Sequence, residues 1–424
     1  MTPRERLFAL ERFGIKLGLD NITALLERLN RPDQAFSSIH VGGTNGKGSV
    51  TAMVERGLRA AGHRTGRYTS PHLTDIEERI AIDGVPIARA TFDEIIAEVM
   101  ELIDRLTETG VLRHPPTFFE VTTAAAFEAF RRADVSAAVI EVGLGGRYDA
   151  TNVITPALSA ITSVAFDHER HLGALLSQIA FEKAGIIKAG VPVVAGVLPE
   201  EARGVIERMA RLADAPLIWA TASATGSPVD LALNGAHQKQ NAAVAVEVLR
   251  LSGALGRTVS RTHIIEALTN VEWPARLEWL RIPAVGDVLV DAAHNAAGAQ
   301  ALADYVLAAV GPLPLVFGVM TDKDVSAICR AMLPAVSRFV ATTAPSPRAL
   351  HAPELAEHIR RTIPGALVEC QEDPVVAVRD TLRSAPRAMV AGSIFLVGPI
   401  RSELLGQGAV TVRYPSNASP FFLD

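Results

Sequence analysis

Short apolar runs rich in β-branched residues punctuate the chain, with longer stretches of helical spacing between them. They are "SSIHV" ahead of a helix beginning at Gly48, "AAVIEVG" at 137–143, "LSAITSV" at 158–164 and "VPVVAG" at 191–196. Strands this apolar present no polar face to water, which predicts a parallel sheet covered on both sides by crossover helices. Near Trp273–Pro274 the pattern stops, and "RIPAVG" (281–286), with its proline and glycine, reads as a linker. A second series follows: "DVLVDAAHN", "PLVFGVMTDKD", "RFVATTAP", "ALVEC" and "AMVAGSIFLVG". The predicted fold class is α/β in two domains, as 424 residues exceed what one ordinary core organises. Residues 1–282 are expected to form one domain with a mostly parallel sheet, and residues 283–424 a smaller Rossmann-like α/β domain. Polar residues gather where strands end: Glu141 closes one, and Asp167 with His168 follows another. Open α/β sheets bind ligands at such carboxyl ends.

Composition narrows the function classes. Hydrophobic residues make up 49% and charged residues 21%, an ordinary globular balance, and the formal charge is -5 from 41 basic and 46 acidic residues that are well mixed. No basic stripe is available for a nucleic-acid backbone. The two cysteines, Cys329 and Cys370, lie far apart without close metal-ligand partners, so neither a disulfide framework nor a zinc site is expected, and both read as buried small hydrophobes. The opening "MTPRERLFALERFG" is charged where a signal peptide needs an apolar core, which predicts a cytoplasmic protein. "YVLAAVGPLPLVFGVM" (305–320) is broken by Gly311, Pro312 and Pro314, and reads as a helix followed by a buried strand, with no membrane as partner.

"SSIHVGGTNGKGSV" (37–50) runs from a strand through a glycine-rich turn into a helix. Backbone N–H groups at such a helix start surround a phosphate, and a lysine there reaches its outer oxygens. The turn comprises Gly43, Thr44, Asn45, Gly46, Lys47, Gly48 and Ser49. It departs from the common G-x-x-x-x-G-K-[ST] spelling: Val41 stands at the first glycine position, and Gly48 separates Lys47 from Ser49.

"GGTNGKGSV" resembles the loop of the Mur ligase superfamily, and the glycine after the lysine resembles its folate-ligase branch, the folylpolyglutamate and dihydrofolate synthases. "TSPHL", "TFFE", "EVGLGGRYDATN", "DHERHLG", "IAFEKAGIIK", "HQKQNAAVA", "WPARLE", "DAAHN", "FGVMTDKD" and "GSIFLVG" follow in family order, so the resemblance spans residues 10 to 400. It implies an ATP-dependent ligase that joins L-glutamate to dihydropteroate, to a folate, or to both, through an acyl phosphate. It further implies ATP and magnesium, with two metal sites, and a monomer acting on small molecules.

The resemblance also assigns roles by position. Lys47, Glu141, His168 and Lys183 carry the chemistry. Ser49, Ser70, Glu141, His168 and a carbamate on Lys183 serve magnesium; imidazole is the softer of these donors. Lys183 lies 15 residues after His168, with Lys188 as a competing lysine nearby. Carbamylation needs a neutral amine, which burial would favour. Asn241, Arg276, Asp291 and His294 complete the nucleotide site. Ala275 in "WPARLE" and Ala292 in "DAAHN" stand where the family usually has glycine. Thr117, Phe119, Asp149 and Ala150 take the substrate-contact positions, with "SPHL" as a mobile substrate loop. Two alternatives stay open: a peptidoglycan-type Mur ligase, disfavoured by Gly48 and by the forty residues ahead of the loop, and a P-loop ATPase or regulatory nucleotide-binding module.

Overall fold

The structure, a computed structural model, describes residues 1–14, 18–222, 226–414 and 421–423. The chain forms two compact units, the first from residues 1–164, 172–224 and 240–271, the second from 165–171, 225–239 and 272–424.

The first unit is built on an eight-stranded sheet of β1 (Ser37–Gly42), β2 (Thr65–Tyr68), β3 (Ile80–Ile82), β4 (Val85–Pro86), β5 (Ala137–Glu141), β6 (Leu158–Ile161), β7 (Val193–Ala195) and β8 (Leu217–Trp219), in the order β4-β3-β2-β5-β1-β6-β7-β8. The six strands from β2 to β8 in that order are parallel, and β3 and β4 add an antiparallel edge. Every residue of β5 and β6 is buried, as uninterrupted apolar runs require in a sheet covered on both faces. The register sets Val41 beside Glu141 and Gly42 beside Ile161, so β5, β1 and β6 end at one level.

Within this core His40 on β1 is fully buried. Its Nε2 lies 2.8 Å from Thr151 Oγ1, and that hydroxyl donates to Asp149 Oδ1 at 2.5 Å. The Thr151 hydrogen is therefore committed, and His40 Nε2–H is the donor in the first contact. Burial pushes the imidazole down to about 3, with the charge of Lys188 adding to it. A depressed folded-state value means that the unfolded chain binds the proton more readily below pH 6.5, so stability is full above that pH and falls as pH drops toward 3. Urea unfolding at pH 7.0 and pH 4.5 is expected to show His40→Gln losing about 2 to 3 kcal/mol less than wild type over that interval.

The second unit holds a seven-stranded sheet of β10 (Glu278–Ile282), β11 (Gly286–Val290), β12 (Leu313–Phe317), β13 (Val336–Ala341), β14 (Val368–Cys370), β15 (Arg387–Ala391) and β16 (Val410–Val412), ordered β14-β13-β12-β15-β11-β10-β16. Strands β11 to β15 are parallel, while β10 runs antiparallel to both its neighbours; β9 (Ser227–Val229) pairs separately with β17 (Phe421–Leu423). "RIPAVG" is thus the hairpin turn from β10 to β11, closed by Val285 N–H on Ile282 O, and not a linker. A boundary after residue 282 would sever β10 from its sheet; the second unit takes up the chain from Glu272. Residues 305–320 are a helix end and the buried β12, as the sequence predicts. Cys329 is buried, its thiol pushed up to about 12, whereas Cys370, at the end of edge strand β14, is exposed, contrary to the expectation that both are interior. Among the described residues no helix is long and apolar enough to cross a membrane.

Candidate active site

β1 ends at Gly42, and the chain turns through Gly43–Gly46 into the helix Lys47–Ala60. Gly43 and Gly46 have φ of 142° and 84°, values that L side chains rarely adopt. Space imposes the same choice: a Cβ on Gly43 would lie 2.0 Å from Thr162 Oγ1, and one on Gly46 2.2 Å from Asn241 Oδ1. The turn is braced by the segment after β6, where Thr44 and Asn45 N–H donate to Ser163 O (2.8 Å) and Oγ (2.9 Å), and Thr162 Oγ1 donates to Asn45 O (2.7 Å). Sequence reasoning missed Thr162 and Ser163; two hydroxyls closing an apolar strand were the available signal. No side chain caps the helix and its first turn carries no acid, so its amide dipoles end in positive potential beside Lys47, whose Nζ donates to Thr44 O at 3.1 Å. This is an anion cradle on a 14-residue helix.

Glu141, at the end of β5, is buried and accepts Ser70 N–H at 3.3 Å. Ser70 Oγ is itself buried without a hydrogen-bond partner. A bare hydroxyl beside a carboxylate is a hard-oxygen donor pair, and such donors fit magnesium. Lys183, on the helix Leu176–Ala184, is buried and donates to Gly43 O at 3.0 Å, which brings it to the glycine-rich turn; Lys188 instead donates to Asn152 O at 2.9 Å. Ser49, Ser70, Glu141 and Lys183 thus all belong to the first unit, and Ser49 is buried in the first turn after Lys47. Among the described residues no three His, Cys, Asp or Glu side chains cluster as a metal site, so a cation here would depend on hydroxyl and substrate oxygens.

His168 falls in the second unit, at a strained φ of 52°. Asp167 beside it, a half-buried residue whose side chain is 8% exposed, accepts from Lys323 Nζ (2.7 Å) and Asn295 Nδ2 (3.0 Å), with His294 Nε2 at 3.4 Å. Burial alone would raise this carboxyl; His294 first, then His168 and Lys323, override it and hold it well below the usual carboxylate range. The same burial pushes His168 down to about 4. Lys323, inside the "FGVMTDKD" segment, is a member of this cluster that motif reading did not single out.

Arg276 and Asp291 meet in one backbone knot. Asp291 accepts Leu277 N–H and Ala293 N–H, both at 2.8 Å, while Arg276 Nη1 donates to Ala275 O at 2.9 Å. Ala275 has φ of 57°, the conformation that a glycine there would adopt freely. The left-handed region costs an alanine about 1 to 2 kcal/mol. Ala275→Gly is therefore expected to stabilise the second unit by up to about 1 kcal/mol, a rise in melting temperature of about 2 to 4 °C by calorimetry.

The four substrate-contact candidates divide. Thr117 caps the helix Phe118–Arg132 in a capping box, its hydroxyl accepting Glu120 N–H at 3.2 Å and donating to Glu120 Oε2 at 2.9 Å. Asp149 ties its own loop together through Leu144 N–H (2.8 Å) and Thr151 N–H (3.0 Å). Both side chains thus have structural work, and Ala150 is buried. Phe119 is half-buried with its ring 5.9 Å from that of Tyr68, leaving an aromatic edge for a flat ligand. The "SPHL" loop, expected to be loosely held, is anchored: Glu78 accepts the N–H groups of Leu73 (2.7 Å), Thr74 (3.0 Å) and Asp75 (2.9 Å).

Residues 275–397 match the model for "Mur ligase, glutamate ligase domain". The chain is 31% identical over 420 residues to the dihydrofolate synthase/folylpolyglutamate synthase of Bacillus subtilis, covering 93% of this chain and 96% of that one. It superposes on Mycobacterium tuberculosis folylpolyglutamate synthase complexed with ADP and AMPPCP with a TM-score of 0.85 at 33% identity, covering 95% of this chain and 99% of that one. A bifunctional folylpolyglutamate synthase/dihydrofolate synthase with Mn, AMPPNP and L-glutamate bound gives a TM-score of 0.83 at 28% identity, covering 96% and 98%.

Proposed function

Because the chain belongs to the folylpolyglutamate synthase/dihydrofolate synthase family, we propose that it is an ATP-dependent ligase joining L-glutamate to 7,8-dihydropteroate, to a reduced folate, or to both. The observation that carries this reading is the uncapped phosphate turn Gly43–Ser49, with Lys47 on it and the buried Lys183 hydrogen-bonded to it.

A carboxylate resists attack by an amine because it is anionic and has no good leaving group. Phosphorylation removes both obstacles. A carboxylate oxygen of the pteroyl substrate attacks the γ-phosphorus of ATP, the bond to the β-phosphate oxygen breaks, and ADP leaves. The glutamate amine then adds to the acyl carbon, loses a proton, and expels phosphate as the amide forms. Phosphoryl transfer needs positioning and charge neutralisation above all. The amides of Gly46–Ser49 and the Lys47 ammonium hold the phosphates. Asn241, packed against Gly46, takes the adenine side, and Arg276, Asp291 and His294 are the further nucleotide-binding residues of this reading.

Ser49, Ser70 and Glu141 would hold magnesium, a carbamylated Lys183 would serve a second ion, and His168 is a further candidate donor; the metal would neutralise the phosphate oxygens during transfer. The carbamate forms when neutral Lys183 Nζ attacks carbon dioxide and releases a proton, which turns a buried amine into an anionic oxygen donor. Phe119 stacks on the pterin ring, beside the backbone that Thr117, Asp149 and Ala150 hold in place. A cytoplasmic monomer completes the reading, and gel filtration against globular standards checks the oligomeric part.

The deciding assay is phosphate release with ATP and magnesium. Release should require both glutamate and a pteroate or folate acceptor and should match the amide formed; release that ignores the acceptor would mark an ATPase module instead.

A further inference from the structure

Among the described residues, Arg79 and Lys183 are the only arginine or lysine residues that are buried, and both lie in the first unit. Lys183 is explained by the phosphate turn. Arg79, 7% exposed, is not. It closes the short turn Ile76–Arg79, just past the loop that begins at Ser70. Its Nε donates to His72 Nδ1 at 3.0 Å, its guanidinium carbon lies 5.0 Å from the centre of the Phe118 ring, and the Tyr68 phenol is a further hydrogen-bonding neighbour. None of these groups is anionic. Burial, reinforced by Arg79 itself, pushes His72 down to about 4, so the ring accepts as a neutral imidazole.

No carboxylate among the described residues forms an ion pair with Arg79; Glu11 and Glu141 act on it only through space. The nearby Arg67 differs, having Glu55 at 3.8 Å. A guanidinium withdrawn from water without a counter-ion is unfavourable until an anion joins it. Its surroundings say where that anion comes from. Tyr68 stands 5.9 Å from Phe119 ring to ring and bonds Thr122 and Thr123, and Phe118 opens the same helix, so the cation sits at the wall assigned to the pteroyl substrate. With Nε committed to His72 and the Tyr68 phenol beside the fork, the remaining Nη hydrogens are what is left for a ligand.

We propose that Arg79 binds the carboxylate of the pteroyl substrate, the group that is to be phosphorylated, as its missing counter-ion; the inference rests on the ligase reading above. Such a pair lets an anionic acceptor approach the triphosphate by offsetting part of their mutual repulsion.

The test uses the full chain as wild type, Arg79→Lys and Arg79→Met. Binding of 7,8-dihydropteroate is compared by calorimetry with that of an analogue in which hydrogen replaces the carboxylate. Arg79→Met is expected to bind dihydropteroate about 10- to 100-fold more weakly, while the analogue changes by less than about threefold and Arg79→Lys falls between. Without ligand, Arg79→Met should melt no lower than wild type, because a residue waiting for an anion does not hold the fold together. Equal weakening of both ligands, unchanged dihydropteroate binding, or a markedly lower melting temperature overturns the proposal. Wild type that binds neither ligand would instead sink the ligase reading itself.

Discussion

Lys47→Ala is expected to lower acceptor-dependent phosphate release by about 100- to 1,000-fold, the loss seen when one preorganised electrostatic donor is removed from a transition state. The helix amides remain, so residual turnover persists, but the ammonium that neutralises the outer phosphate oxygens is gone. The fold should not suffer. Lys47 is partly exposed and its side chain bonds Thr44 O, three residues back. Circular dichroism melts should therefore coincide within about 0.5 kcal/mol of stability. Retention of more than a tenth of wild-type turnover would show that the turn does not hold the reacting phosphate.

Lys183 should prove as costly to lose, and its chemistry can be told apart from that of Lys47. Lys183→Met keeps much of the buried stem while deleting the amine, and is expected to cut turnover by about 100-fold or more. If the amine works as a carbamate, wild type assayed in carbon-dioxide-free buffer loses activity and regains it with bicarbonate. Labelled bicarbonate then gives a carbamate carbon resonance that Lys183→Met and Lys183→Arg lack. A wild type indifferent to carbon dioxide would mean that Lys183 acts as a cation on the phosphates. Deleting the bond to Gly43 O also leaves a carbonyl less well satisfied, at about 1 to 3 kcal/mol, so thermal melts of the variants belong beside the kinetics.

Legibility in the sequence followed the range of the interactions. The turn Gly43–Ser49 was readable because its requirements are local: an apolar strand before it, glycines at positive φ, and a lysine opening the helix. The ends of β5 and β6 were readable from where apolar runs give way to polar residues. What stayed hidden depends on pairing at a distance. "RIPAVG" looks like a linker until β10 is seen to hydrogen-bond with both β11 and β16. Asp167 looks like a companion of His168, yet its shortest side-chain contact, to Lys323 at 2.7 Å, comes from 156 residues away. Thr117 and Asp149 stand at positions assigned to substrate, but their side-chain oxygens are engaged by their own backbone, which periodicity cannot reveal. The exposure of Cys370 follows from its place on an edge strand, a property of sheet order and not of its neighbours in the chain.

The interleaving of the two units has a temporal consequence. Residues 165–171 leave the ribosome long before the strands of their own sheet. At about 5 to 20 residues per second, Asp167 waits about 10 to 30 s for the lysine that neutralises it, since 156 residues separate them. A nascent chain arrested after residue 271 therefore carries a carboxylate and a histidine whose docking partners have yet to be translated, and no single cut of the gene yields both halves whole.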